Sequence, residues 1–353
     1  MSGTAARPRA KVRPERLREL SLLAVIGVSV LVFSRLVDNY LSGSFFNRVT
    51  TSMAITAVLA AAQTVVILTR NIDLSVGSIV GVTAYLTGEY LAAHQTTAPL
   101  LAVGLAMLIG CVLGLLNGTL VAYGRVPAII VTLGTLAIYR TWLIDHAKAR
   151  TITADSLPQW LVEFPQGTVV RLGGLDVRVV LTVAVLVIVA LQVALGRLRW
   201  GRWVYAVGSN PDAARQEGLP VERITLGAFA MCGALSGLAG FMFLSRFGTI
   251  TVAAGQGLEL ASVAAAVVGG VSILGGSGTL FGALLGALLI DLLEQSLVRV
   301  PEVSEFWRDA VLGALILLAI ASDLAIGKRL RRLWTSPSRR SPDTPEREAR
   351  TGA

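Results

Sequence analysis

Long apolar runs alternate with short polar breaks along the chain, and the runs are too continuous for the ~10-residue alternation of a membrane barrel. A helix needs about 20 apolar residues to cross ~30 Å of hydrocarbon. On that measure the pattern predicts about ten transmembrane helices: Leu20–Val37, Met53–Leu68, Ser75–Ala93, Pro99–Val121, Val126–Ile144, Val179–Leu195, Leu226–Leu244, Leu258–Leu274, Leu280–Leu292 and Ala310–Leu324. Met53–Leu68 would reach only about 24 Å at ~1.5 Å per residue, so it is expected to draw on Thr51, Ser52 and the turn after Leu68. Gly110, Gly114 and Gly118 recur at i+4 and form a ridge on which a neighbouring backbone can lie close. Pro127 suits the first turn of the fifth helix. The predicted fold class is an all-α polytopic membrane protein.

Composition agrees. Of 353 residues, 54% are hydrophobic and 15% charged, against a usual ~25% charged, and the mean hydropathy is +0.69. The net charge of +9 sits wholly in the tails, +4 over residues 1–19 and +5 over residues 328–353. Basic tails flanking spans read as cytoplasmic anchors, whereas a nucleic-acid surface needs basic residues gathered on a folded face. With ten spans and both termini cytoplasmic, the inside segments hold 21 Lys/Arg and the outside segments nine. The domain reading is a basic tail over 1–19, a membrane domain over 20–325 and a basic, disordered tail over 326–353. The polar connection 145–178 then lies outside and 196–224 inside. Leu20–Leu36 is long for a signal peptide and lacks a small-x-small cleavage site, which favours a retained span. Cys111 and Cys232, each inside an apolar run, read as packing residues, and no metal-ligand spacing occurs.

The sharpest break is Arg70-Asn71-Ile72-Asp73, between two apolar runs. Charge at bilayer depth costs roughly 2.5–3.5 kcal/mol per residue on insertion scales, so the break either marks a membrane face or lines a protein-walled cavity. The span count places it at the cytoplasmic face, where Arg70 can reach headgroups or a partner acid. Asp73 or Ser75 is placed to N-cap the third span, and Gly77 allows close helix approach. Arg70, Asn71, Asp73 and Ser75 thus form an inner-gate or helix-cap group. No Walker A pattern, Ser-His-Asp set or His-Glu-x-x-His set appears, so no catalytic residue or bound cofactor is expected.

Four blocks resemble the permease subunits of bacterial ABC importers for monosaccharides. They are Thr69–Ser78, Val126–Thr135 with Tyr139-Arg140, Gly201–Arg215, and Ala264–Gly278, in that family's order and spread over about residues 20–325. Arg70-Asn71 and Gly257-Leu258-Glu259-Leu260 resemble the rhamnose and autoinducer-2 branch. The resemblance implies a type II ABC-importer-like permease that works as a homo- or heterodimer with a second permease subunit. ABC ATPase subunits, which bind the ATP, would dock on the cytoplasmic face, and an extracytoplasmic sugar-binding protein would deliver solute. Tyr205, Gly208, Asn210, Ala213, Ala214 and Gly218 would lie in the ATPase-coupling segment. A loop of this composition alone would otherwise read as a solvated linker. For the substrate path the polar residues within spans are candidates: Asn117, Thr132, Thr135, Tyr139, Arg140 and Glu259. Hydroxyl, amide, aromatic and carboxylate groups suit a sugar. Against this, Thr132 and Thr135 could bond back to their own helix, and Arg140 could simply pair with Asp145.

Overall fold

The computed structural model describes residues 14–172 and 175–300, and single positions between 307 and 318. Most of the N-terminal tail, the expected tenth span and the C-terminal tail lie outside the described residues. The helices are α1 (Pro14–Leu36), α2 (Gly43–Leu68), α3 (Val76–Ala93), α4 (Pro99–Ala122), α5 (Ala128–Ala147), α6 (Gln159–Glu163), α7 (Val179–Arg197), α8 (Arg199–Ser209), α9 (Pro211–Gln216), α10 (Val221–Phe247), α11 (Leu258–Val268) and α12 (Leu280–Leu297). A two-stranded antiparallel hairpin, β1 (Thr168–Leu172) and β2 (Leu175–Arg178), is the sheet among the described residues. Seven of the described helices are long and apolar enough to cross a membrane. The chain is a multi-pass helical membrane protein.

Helix α2 is the centre of the bundle. Its span is 94% buried, whereas those of α1, α4 and α7 are 11%, 22% and 28% buried within the chain. A helix apolar on all sides belongs in a core, and one with an outward apolar face belongs against lipid or a second subunit. Helices α10, α11, α12 and α7 pack around α2. The glycine ridge of α4 meets α10: a Cβ at Gly110 would lie 2.8 Å from the Gly237 nitrogen, and one at Gly114 would lie 2.9 Å from the Gly233 Cα. The two backbones touch there, which only small residues on both helices permit.

Two expected spans are corrected. The second begins at Gly43 rather than Met53, because Ser42 caps it by accepting from the Phe45 N–H and Phe45, Asn47 and Val49 are already buried. The expected helix Leu258–Leu274 ends at Val268. Gly270 takes φ 93°, Gly275 and Gly276 are also left-handed, and the chain to Thr279 is a turn rather than a helix. At about 16 Å, α11 is a half-helix. The crossing is completed by the unwound segment 249–257, which lies along α3, where a Cβ at Gly77 or at Gly81 would come within 2.6 Å of the Gly255 and Ala254 carbonyl oxygens respectively. Non-helical backbone at that depth is tolerated because protein walls it in and satisfies its carbonyls.

Hydrogen bonds sort the connections to two ends. At one end Tyr40 meets Ser296 at 2.7 Å, the Asp176 N–H donates to Asn47, and Ile152 bridges Ile250. The described parts of the 145–178 connection lie there and are folded, with α6 and the hairpin covering that end of α2, α7 and α10. At the other end lie the 69–75 break, α8, α9 and the 269–279 turn.

Candidate functional site

The 69–75 break begins at the surface and ends inside. Thr69 closes α2, and Arg70 is exposed with a left-handed φ of 67° that turns the chain back. By Asp73 the chain is fully buried. The Gln63 amide donates to the Asp73 carbonyl, and Gln63 lies five residues before the end of α2, about 7.5 Å inside it. The break therefore is both a face and an interior feature, because three residues suffice to bring the chain back into the bundle.

Ser75 is the N-cap residue of α3 but caps with no side-chain bond, and Asp73 instead holds Ser75 itself. Asp73 Oδ1 accepts from the Ser75 N–H at 2.9 Å and from the Ser75 hydroxyl at 2.6 Å. The network runs on across helices. The Asn117 amide donates to Ser75 Oγ at 2.7 Å, and the Tyr139 hydroxyl reaches Asn117 Oδ1 at 3.2 Å and the Leu113 carbonyl at 3.0 Å. Thr132 bonds to the Ala128 carbonyl of its own helix at 2.8 Å and to the Ile72 carbonyl at 3.3 Å, and Thr135 bonds back to Thr132. Asn117, Thr132 and Tyr139 are thus brought together around Asp73 and Ser75, buried between α3, α4 and α5. Gln63, the fixed amide on α2, carried no signal in the sequence beyond being a polar residue in an apolar run.

Arg140 and Glu259 lie elsewhere. Arg140 Nη1 donates to the carbonyls of Val252 (2.9 Å) and Ala254 (2.7 Å). The guanidinium goes to these carbonyls rather than to Asp145, and it supplies the donors that the unwound segment lacks. Glu259 Oε1 accepts from the Gly257 N–H at 3.2 Å, and its other oxygen is buried against Gly77 without a hydrogen-bond partner.

Arg70 grips backbone carbonyls. Its Nε and Nη2 donate to the carbonyls of Gly208 (2.5 Å) and Ser209 (2.6 Å), at the end of α8. The Gly276 N–H donates to the Leu68 carbonyl at 3.0 Å, and the Tyr205 hydroxyl to the Gly278 carbonyl at 3.0 Å. Three turns distant in sequence are thereby tied together. Gly208 is at the crossing, where a Cβ would overlap the Leu68 carbonyl oxygen. Asn210 starts α9 by accepting from the Asp212 and Ala213 N–H groups, both at 3.1 Å. Gly208 and Ala214 face inward, whereas Ala206, Asn210, Ala213 and Gly218 are exposed on the free side.

Two cavities lie toward the opposite end. One, of about 620 Å³, is lined by Arg48, Arg171, Arg178 and Arg246 beside Asp176. The other, of about 320 Å³, lies between α2, α10, α12 and the 253–258 segment.

The autoinducer 2 import system permease protein LsrC of Yersinia pseudotuberculosis serotype O:1b (strain IP 31758) is 37% identical over 308 residues, covering 86% of this chain and 82% of the relative. The protein of the same name from Yersinia enterocolitica serotype O:8 / biotype 1B is 37% identical over 307 residues, 86% of this chain and 80% of the relative. No solved structure matches. A family model described as "Branched-chain amino acid transport system / permease component" matches residues 45–320, the stretch that holds the unwound crossing and the tied turns. The chain belongs to this family of transport-system permeases.

Proposed function

We propose that the chain is the membrane-spanning permease subunit of an ATP-driven importer, with ATP bound and hydrolysed by a separate subunit docked on the exposed face of α8 and α9. The observation that carries this reading is the junction of Arg70, Leu68, Gly208 and Gly276. It fixes α8 and α9 to two turns of the membrane domain and leaves Ala206, Asn210 and Ala213 facing outward. A push on that face is passed by short hydrogen bonds to the ends of α2, α3 and α12. This end is the cytoplasmic one, and the 145–178 end receives solute from an extracytoplasmic binding protein. The working unit is a dimer of permease subunits, whose lipid- or partner-facing surfaces include the outward apolar faces of α1, α4 and α7.

The solute is a small hydroxyl-rich molecule. The likeness to proteins named as autoinducer 2 import permeases puts autoinducer 2 ahead of rhamnose or a pentose. The test is uptake of labelled autoinducer 2, rhamnose and ribose by cells carrying the chain with its ATPase and binding-protein partners. Uptake that stops when the ATPase's catalytic lysine is replaced, and that resists an uncoupler, supports the reading. Uptake that survives loss of every ATPase partner yet collapses with an uncoupler would show an ion-coupled carrier instead.

A further inference from the structure

Two opposite charges stand over neighbouring turns of α3 and do not pair. Arg140 lies inside α5 and Glu259 in the first turn of α11. A Cβ at Gly81 would lie 3.2 Å from Arg140 Nη1, and one at Gly77 would overlap Glu259 Oε2. Positions i and i+4 on a helix are about 5–6 Å apart, so the two charges are about one turn from each other. Intramembrane charges ordinarily pair with one another or with backbone carbonyls. Here no ion pair joins them among the described residues, although Arg140 lies in the field of Glu259.

What separates them is backbone. The Ala254 carbonyl oxygen lies over Gly81 and the Gly255 carbonyl oxygen over Gly77, each 2.6 Å from where a Cβ would stand. Arg140 Nη1 holds the Val252 and Ala254 carbonyls, while its Nε and Nη2 make no hydrogen bond among the described residues. Glu259 Oε1 accepts from the Gly257 N–H, and Oε2 is buried without a partner. A guanidinium has five N–H donors, and an unmet buried carboxylate oxygen is costly. An arginine with donors to spare thus faces an acid with an unmet acceptor, and the unwound 249–257 strap is wedged between them.

We propose that Arg140 and Glu259 are the two poles of a conformational switch on this strap. In the state of this structure Arg140 holds the strap's carbonyls and Glu259 Oε2 is unpaired. In the second state the strap lifts from α3, Arg140 closes on Glu259 as an ion pair, and the freed carbonyls turn to water. Each state meets the need that the other leaves open, which keeps the two near in energy, as a bistable element requires. Gly248 and Gly257, with φ 61° and 86°, close the two ends of the strap, and glycine turns there with little strain. Ile250 stays tied to Ile152 by two backbone bonds of 2.9 and 3.1 Å, so the lift swings about that end. Arg140 and Glu259 are positioning residues for the backbone and not contacts for a solute. The switch takes its role, as a step of the importer's cycle, from the permease reading above; its occurrence stands apart from that reading.

The test uses the full chain in lipid nanodiscs, with Cys111 and Cys232 replaced by alanine and a single cysteine in place of Ala254, which is 6% exposed. A small polar thiol reagent reaches that cysteine when the strap is lifted, so the modification rate reads the lifted fraction. Glu259→Gln removes the partner of the second state and is expected to slow modification about tenfold or more. Relief of an unpaired buried charge would slow it too, so a double-mutant cycle decides. Arg140→Gln weakens both states of the otherwise wild-type chain and is expected to change the rate by less than about threefold. In the Glu259→Gln chain it weakens only the state of this structure and is expected to raise the rate about tenfold. Arg140→Lys serves the same cycle if Arg140→Gln is not monodisperse. Additive effects, a Glu259→Gln chain modified as fast as wild type, or a position-254 cysteine that never reacts would each overturn the switch. Adding the ATPase partner and ATP separates the two readings. If the cycle is non-additive and ATP leaves the rate unaltered, the permease reading falls and the switch stands.

Discussion

Arg70 offers a graded test of the junction. It makes two charge-assisted hydrogen bonds to backbone carbonyls of α8, at 2.5 and 2.6 Å. Such bonds contribute about 1.5–3 kcal/mol each when sheltered. Arg70 is exposed, so solvent screening brings the pair down to roughly 2 kcal/mol in total. Arg70 also holds a left-handed φ of 67°, which costs a non-glycine residue about 1–2 kcal/mol. The three substitutions therefore separate. Arg70→Ala loses the grip and keeps the strain, for a net loss of roughly 2 kcal/mol. Arg70→Gly loses the grip and regains about 1 kcal/mol from the backbone. Arg70→Lys keeps the charge but cannot hold two carbonyls with one planar group. The expected order of thermal stability in detergent is wild type, then Lys and Gly close together, then Ala. The ATP hydrolysed per solute moved is expected to rise in the Ala variant, because a loosened α8 no longer moves with the ends of α2 and α12. An Ala variant as stable and as tightly coupled as wild type would refute the junction, and a Gly variant no better than Ala would refute the strain argument.

Asp73→Ala strands the Ser75 N–H and hydroxyl in a dry site, at about 1–3 kcal/mol for each unmet group. Reduced yield and thermal stability of the purified chain are expected, with solute preference unchanged in whatever uptake remains, and altered preference would contradict this. Gly114→Leu drives a side chain into the α10 backbone and is expected to cost the folded bundle, read by size-exclusion profile. Gly104→Leu, where a Cβ meets nothing within 4 Å, is expected to be near neutral. Ala213→Asp places a charge on the exposed face of α9 and should abolish co-purification of the ATPase from a stable chain. Ala214→Asp, at a site only 5% exposed, should lower stability first.

The apolar pattern was enough to place the seven described helices that are long and apolar enough to cross a membrane, in order, because each such span must bury a length of chain set by the bilayer. The Gly110-Gly114-Gly118 ridge was legible for the same reason: only glycine at that spacing lets backbones touch. What opposes that ridge was not legible, since Gly233 and Gly237 lie more than a hundred residues away. Three of the path candidates, Asn117, Thr132 and Tyr139, were visible as polar residues in spans, but the pattern did not show that they close on Asp73 and Ser75.

Membrane residence and the run of helices follow from composition and period, which are local and one-dimensional. Where helix gives way to unwound chain does not: α11 stops at Val268 inside the apolar, glycine-rich run 258–274, and the unwound 249–257 segment persists only where Arg140 and α3 meet it. The junction at Gly208 is likewise a matter of three distant turns whose backbone groups find one another, and backbone hydrogen bonds between segments leave no residue type to read.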